Sequence, residues 1–392
     1  MTSTPAEPPA EAALDRARFR RLCAATLAHF TVMGIYLSSL PLFVTDELDG
    51  SRAEVGVAVG AFFVAALAFR PSIGRGVDRF GRRPFLFGAP LVMVATSLGL
   101  IVAGSLAAVV VIRFVQGLAG AAFYTAAATV ATDLAPEHRR AEVITLFSLF
   151  LYAGFALGPV VGERLVDESF TRVWLVAAVT AGVATAATLL VGETGPPRGG
   201  RPARRLTLHP ASVGPGIVLL CAAAGYSAIT SFSPLYARAI ELSSSQGLYA
   251  TFAVSIMGVR IAARRLSDRF GRTRVAVPGL MSSAVGLGLL AIMGSAASAY
   301  AGVALYGAGF ALIFPSLMAL TVDRTSEAER GEALGSFTAF FDMGAGIGSY
   351  AVGWVANAYG FSWGFAFPAV LGGIGALMAL RLGHERPTTA TL

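Results

Sequence analysis

The stretch Gly74–Arg83, GRGVDRFGRR, sets four arginines and one aspartate between two long apolar runs, and it returns as RRLSDRFGRT over Arg264–Thr273. In a chain that is 55% hydrophobic and 14% charged, charges spent twice on one arrangement call for an explanation. Asp78 and Asp268 lie 190 residues apart, and the same offset brings other residues into register without a gap. Arg70 meets Arg260, Gly117 meets Gly307, Asp133 meets Asp323, Glu137 meets Glu327, Arg140 meets Arg330 and Tyr36 meets Tyr226. Phe147, Gly154 and Gly158 fall on Phe337, Gly344 and Gly348. Rare charged residues and glycines coincide in one register only if the chain is two halves of equal length.

Composition supplies the class. Few charges and a strongly positive mean hydropathy mark a membrane protein. A helix needs about 20 apolar residues to cross roughly 30 Å of hydrocarbon. Twelve such runs are expected, near 22–44, 54–73, 85–104, 106–131, 141–163, 172–192, 213–236, 247–263, 275–295, 298–322, 333–357 and 361–382. The loops between them are short, so no separate catalytic domain fits. The expected fold class is an all-α membrane protein, twelve transmembrane helices in two pseudo-symmetric six-helix bundles. The expected division is a tail over 1–15, a first bundle over 16–192, a linker over 193–212, a second bundle over 213–382 and a tail over 383–392. Arg16–Arg21 followed by apolar residues resembles the front of a secretory signal, but the run is long and has no clear cleavage site, so it reads as a retained first helix.

All 30 basic residues are arginine. Without lysine there is neither a Walker A phosphate loop nor a Schiff-base amine. Cys23 and Cys221 fall in apolar runs and read as packing residues. The four histidines, His29, His138, His209 and His384, are scattered, and no nucleophile–base pair or metal cluster emerges. No enzyme, no metal and no cofactor are expected.

The arginines also orient the chain. With the amino terminus inside, the inner segments carry 23 arginines, whereas the outer loops carry only Arg52, Arg164, Arg172 and Arg238. The positive-inside rule then puts both termini in the cytoplasm. The net charge of +7 reports topology, not nucleic-acid binding. Arg70, Arg113 and Arg260 remain inside the expected spans.

Two parallel six-helix halves enclosing one route are an architecture of transporters. The sequence Gly74-x-x-x-Asp78-Arg79-x-Gly81-Arg82-Arg83 resembles the signature loop of the major facilitator superfamily, repeated as Asp268-Arg269-x-Gly271-Arg272 with Arg264 in place of the first glycine. The resemblance covers nearly the whole chain. It implies a cytoplasmic loop that latches the halves in the outward-facing state, with Asp78 capping the eleventh span and Arg82 paired with Asp133. Arg113–Ala122, RFVQGLAGAA, resembles the fourth-span motif linked to proton transfer, and a charge at that depth costs at least about 2.5–3.5 kcal/mol. Gly154–Gly162, GFALGPVVG, resembles the fifth-span pattern of proton-coupled exporters, with Gly154, Gly158, Pro159 and Gly162 as its fixed points. Its physical content is close helix packing and a bend.

A proton-coupled carrier needs a group that takes a proton inside the membrane. Asp342 is the deepest carboxylate, about 15 Å into the eleventh span. Arg113 is expected to bias its charge, and His29 is a second titratable candidate. Arg70 and Arg260 read as gate or topology residues that snorkel. Tyr36, Tyr226, Tyr152 and Phe314, with Gln116, are expected to line a largely apolar or amphipathic route. The reading favoured is a proton-driven exporter of drug-like or secreted small molecules in a bacterial inner membrane, acting as a monomer with the bilayer, a small solute and protons as partners. A proton-coupled importer of sugars or organic acids is the alternative within the fold. A membrane receptor or sensor that does not transport is the alternative outside it.

Overall fold

The computed structural model describes residues 15–136, 139–194, 208–263, 266–326 and 329–384. Most of the expected linker, together with Glu137, His138, Arg264 and Glu327, lies outside the described residues. The first half comprises α1 (Arg16–Asp46), α2 (Arg52–Phe80), α3 (Arg83–Ile101), α4 (Leu106–Asp133), α5 (Arg140–Val166) and α6 (Phe170–Leu189). The second comprises α7 (Pro210–Ala239), α8 (Gln246–Ala262), a short α9 (Leu266–Phe270), α10 (Arg272–Ala291), α11 (Ala296–Asp323), α12 (Arg330–Tyr359) and α13 (Phe361–His384).

Ten of these helices are long and apolar enough to cross a membrane. α8, at 17 residues, is short, and α12 carries Asp342 and six glycines in its length. The long helices overrun the expected spans, because a helix continues beyond the hydrocarbon until a residue stops it. α2 is the clearest case. Most of GRGVDRFGRR is not a loop but its last two turns, since no residue forces a break before Gly81, whose φ of 88° turns the chain. Gly271 does the same in the second copy at φ 95°, after the separate five-residue α9 that the sequence reading took for loop. Starts are equally local. Ser105 and Ser295, matched by the repeat, each accept a hydrogen bond from a backbone N–H in the first turn of α4 and α11.

The repeat is present in the packing. α1 lies on α5 and α6, α2 and α3 on α4, and α3 on α6. In the same order α7 lies on α12 and α13, α8 and α10 on α11, and α10 on α13. The halves meet along α2 with α12, α5 with α8, and α1 with α7. The start of α1 and the end of α13 are at one face of the bundle, called here the terminal face, and Asp46 and Arg238, at the ends of α1 and α7, are at the far face.

Small residues let backbones approach within each half. A Cβ on Gly154 would lie 2.8 Å from the Leu27 carbonyl oxygen, and one on Gly162 would lie 2.6 Å from Ser38 Oγ. A Cβ on Gly34 of α1 would in turn lie 2.9 Å from both Gly158 and Pro159. The fifth-span motif is therefore the seam between α1 and α5. Its repeat, Gly344 and Gly348, is the seam between α12 and α7.

Candidate functional site

The signature residues form a paired structure at the terminal face. Arg82 Nε donates to Asp133 Oδ2 at 3.0 Å, and Arg272 Nε donates to Asp323 Oδ2 at the same distance. Both pairs stay within their own half. Arg79 and Arg269 lie over the neighbouring rings of Phe80 and Phe270. The side chain of Asp268 is outside the described residues.

The cap expected of Asp78 on the eleventh span is not made. Asp78 is exposed, no described side chain or backbone group bonds its carboxylate, and α12 begins at Glu329 without a side-chain cap. The physical reason is the conformation: the contacts between the halves are gathered at the far face. What engages the signature loop is Glu193, just past α6, which accepts from the backbone N–H groups of Arg82 and Arg83 at 3.2 and 3.0 Å. The sequence reading missed this residue, which sits in a polar stretch taken for linker.

At the far face the closure is dense. Arg238 donates to both oxygens of Asp46 at 2.9 and 2.8 Å. Glu163 accepts from the backbone N–H of Ser245 at 2.7 Å, and Arg52 donates to the Ala356 carbonyl at 2.9 Å. A Cβ on Gly353 would stand 2.6 Å from the Arg52 carbonyl oxygen, and one on Gly60 would stand 3.2 Å from that of Gly346. Toward the terminal face, Cβ atoms on Gly331 and Gly335 of α12 would meet nothing within 4 Å.

Mid-way between the faces the halves meet through charge. Asp342 on α12 is 4% exposed, and its Oδ2 accepts from Nε of Arg70 on α2 at 2.6 Å. Arg260, the repeat mate of Arg70, lies instead over the ring of Tyr152 at 4.8 Å from its centroid. Its Nε is buried with no hydrogen-bond partner. Tyr124 on α4 shares the electrostatic environment of Arg70, Arg260, Tyr152 and Asp342. It is 39% exposed although it sits well inside its helix. Sequence reasoning missed Tyr124, for one tyrosine in an apolar helix carries no signal of its own.

Arg113 is elsewhere. It donates to Gln116 Oε1 at 2.8 Å, Gln116 donates to Thr96 at 3.3 Å, and the guanidinium lies over the rings of Phe62 and Tyr36. Tyr36 is buried, with its hydroxyl 2.5 Å from Ser97 Oγ and its ring against Trp174. This network lies within the first half, among α1, α2, α3, α4 and α6, so the structure does not bring Arg113 to Asp342 and does not place Tyr36 or Gln116 beside Tyr226. His29 is stacked on Phe123 at 3.9 Å, and neither of its ring nitrogens has a hydrogen-bond partner.

Two of the expected lining residues do converge. Tyr152 and Tyr226 share a small cleft with Phe155, Thr230, Tyr249 and Phe252, with room for about one water. The Tyr249 hydroxyl, 2.9 Å from the carbonyl oxygens of both Leu37 and Thr230, seals its far side across the halves. Phe314 packs on Phe337 and Phe341, and Phe341 on Tyr226, so Phe314 backs the cleft without lining it.

Known proteins resemble this chain over most of its length. An uncharacterized MFS-type transporter of Salmonella typhimurium is 26% identical over 366 residues, covering 91% of this chain and 94% of that protein. Another from Burkholderia mallei is 28% identical over 370 residues, covering 90% and 89%. The solved structure of the nucleoside transporter NupG superposes with a TM-score of 0.81 at 13% identity, over 93% of this chain and 99% of that one, which is a likeness of fold. The family model of the Major Facilitator Superfamily matches residues 22–266 and again 248–391. With the family model matched over nearly the whole chain, and with two bundles whose long helices repeat one another in packing, the chain belongs to the Major Facilitator Superfamily.

Proposed function

We propose that this membrane transporter is a proton-coupled secondary carrier that exports small molecules from the bacterial cytoplasm, working as a monomer with both termini in the cytoplasm. The observation that carries the reading is the Arg70–Asp342 pair, a buried carboxylate in the membrane that ties α2 to α12. Protonating Asp342 discharges the attraction and frees Arg70, which loosens the halves at mid-depth and lets them rock. The proton gradient is the driving force, and no cofactor takes part. The distribution of 23 inner against four outer arginines supports the orientation. The likeness of Gly154–Gly162 to the exporter motif supports the direction. Here its role is mechanical, a tight α1–α5 seam that makes the first half rock as one body.

The test is dye retention in pump-deficient bacteria. Wild-type cells should lose dye faster in an uncoupler-sensitive manner, and cells with Asp342→Asn should not. Equal retention with and without the wild-type protein sinks broad export. One observation favours the second reading, a proton-coupled importer of organic acids: Arg260 stands in the same space without a carboxylate partner.

A further inference from the structure

The space between the halves carries an unequal charge count. Arg70 and Arg260 point into one environment with Asp342, Tyr124 and Tyr152. Asp342 answers Arg70 alone. Among the described residues no carboxylate answers Arg260, which lies over the face of Tyr152. A guanidinium has five donors and does not lose its proton in proteins. Leaving one of its N–H groups buried and unpaired costs free energy that packing against a ring only partly offsets. Arg82 and Arg113 also leave one buried N–H unpaired, but each holds a polar side chain, Asp133 and Gln116. Among the described residues Arg260 holds none, and an intramembrane charge so placed is a group awaiting a ligand.

We infer that Arg260 receives the anionic group of an organic acid whose apolar body takes the aromatic cleft beside it once the halves part and widen that cleft, which in this closed arrangement has room for about one water. The inference rests on the transport reading above, whichever way the cargo moves. The cleft supplies the second part of the site: Tyr152 is shared between the cation and the cleft, and Tyr226 and Phe252 continue the aromatic wall. Tyr124, within electrostatic reach of both arginines, adds a hydroxyl able to donate to the same anion. A cationic cargo fits poorly, because the one carboxylate at this depth is already held by Arg70 and the net charge of the three groups is positive.

Arg260 is not needed there by symmetry. Its mate Arg70 shows that this position can be neutralised across the interface, and the residue that would neutralise Arg260 is tyrosine in place of aspartate. The repeat therefore has one arm closed by an ion pair and one arm left open to an external anion.

Thermal unfolding of the purified full chain in detergent tests this with matched probes: benzoate, benzamide and benzylammonium, then the naphthalene and hexyl sets. A ligand of the folded state raises the unfolding temperature with its concentration. In the wild type at least one acid should half-saturate at concentrations about tenfold below its amide and amine. Arg260→Gln should erase that preference, and Arg260→Lys should keep its sign, which shows that the fold survives a change at this position. No acid preferred over its amide in the wild type overturns the inference, and so does a preference that persists in Arg260→Gln. Flux into proteoliposomes separates the two readings. An acid that binds through Arg260 and is never moved sinks transport but not the site, whereas flux with no preference for acids does the reverse.

Discussion

Arg70 and Arg260 hold equivalent positions in the two halves, yet they meet different chemistry across the interface. Arg70 Nε lies 2.6 Å from Asp342, whereas Arg260 lies 4.8 Å from the ring centre of Tyr152. Asp342 and Tyr152 are themselves matched by the repeat. One geometric relation is thus used twice, α2 against α12 and α5 against α8, as an ion pair in one arm and a cation over an aromatic face in the other. Two identical arms would hold the interface with equal strength whatever the proton does. Unequal arms give the two halves one contact that responds to protonation and one that does not.

The ion pair sets the first prediction. Removing one partner of a buried pair leaves an uncompensated charge and costs about 3–5 kcal/mol, while replacing both is often close to neutral. Arg70→Gln should therefore lower the unfolding temperature clearly, and the double variant Arg70→Gln with Asp342→Asn should recover most of the loss. Transport should not recover. In proteoliposomes, wild-type flux should vary with pH, and the double variant's flux should not. Arg70 is the charged group that meets Asp342 directly, and the double variant keeps neither member of the pair. A double variant no more stable than Arg70→Gln alone would show that the pair does not act as a unit.

The second arm can be closed by mutation. Tyr152→Glu puts a carboxylate opposite Arg260, as Asp342 stands opposite Arg70. Halves then held by two pairs should separate less readily, and turnover should fall by about tenfold for each 1.4 kcal/mol by which the second pair favours the closed arrangement. The variant should keep its fold, which its elution as a single sharp peak in detergent would check. Unchanged turnover would place Tyr152 outside the moving interface.

Much of this fold was legible because membrane helices must satisfy their backbone internally and must be apolar for a fixed length. The twelve spans and the two equal halves follow from that rule and the 190-residue register. Arg82 with Asp133 was legible through the resemblance of its loop. The partner of Asp342 was not. A sequence places a residue at a depth, but rotation about the helix axis decides which neighbour it meets, and about 100° per residue separates one face from the next. Arg113 was the group expected to act on Asp342, and Arg70 read as a gate or topology residue; only the packing of α2 against α12 selects Arg70. The same rotation turns Tyr36 toward Ser97 and Trp174 inside the first half while its repeat mate Tyr226 reaches the cleft. Polar context explains the difference: Ser97 and Arg113 draw Tyr36 inward, whereas the matching positions are Leu287 and Val303.

Glycine in the α1–α5 seam makes the third prediction. A Cβ at Gly154 would lie 2.8 Å from backbone or side-chain atoms of Leu27, Phe30 and Thr31, and backbone cannot move aside cheaply. Overpacking of this kind costs about 1–3 kcal/mol or more. Gly182 on α6 has nothing within 4 Å of its Cβ position. Gly154→Leu should lower the unfolding temperature or abolish expression, and Gly182→Leu should leave both unchanged. Equal behaviour of the two variants would remove close packing as the physical content of the fifth-span motif.

The far-face closure makes the last prediction. Asp46 ends α1 and Arg238 lies in the last turn of α7, so their paired contact joins matched helices of the two halves. The pair is partly exposed, with side chains 34% and 52% accessible, and by itself contributes about 0–1 kcal/mol. Its value is positional, for it is made only when this face is shut, so a covalent link in its place should hold the face shut outright. In a chain with Cys23→Ala and Cys221→Ala, the pair Asp46→Cys with Arg238→Cys should be joined by a short bifunctional thiol-reactive linker without added oxidant, since two side chains that meet through an arginine are spaced for a linker rather than a direct disulfide. Linked protein should bind cargo from the terminal face and fail to transport it. A cleavable linker should restore flux on reduction, which separates arrest from damage. Transport that continues through a fully linked population would mean that the far face need not open, and alternation about the Arg70–Asp342 level would have to be abandoned.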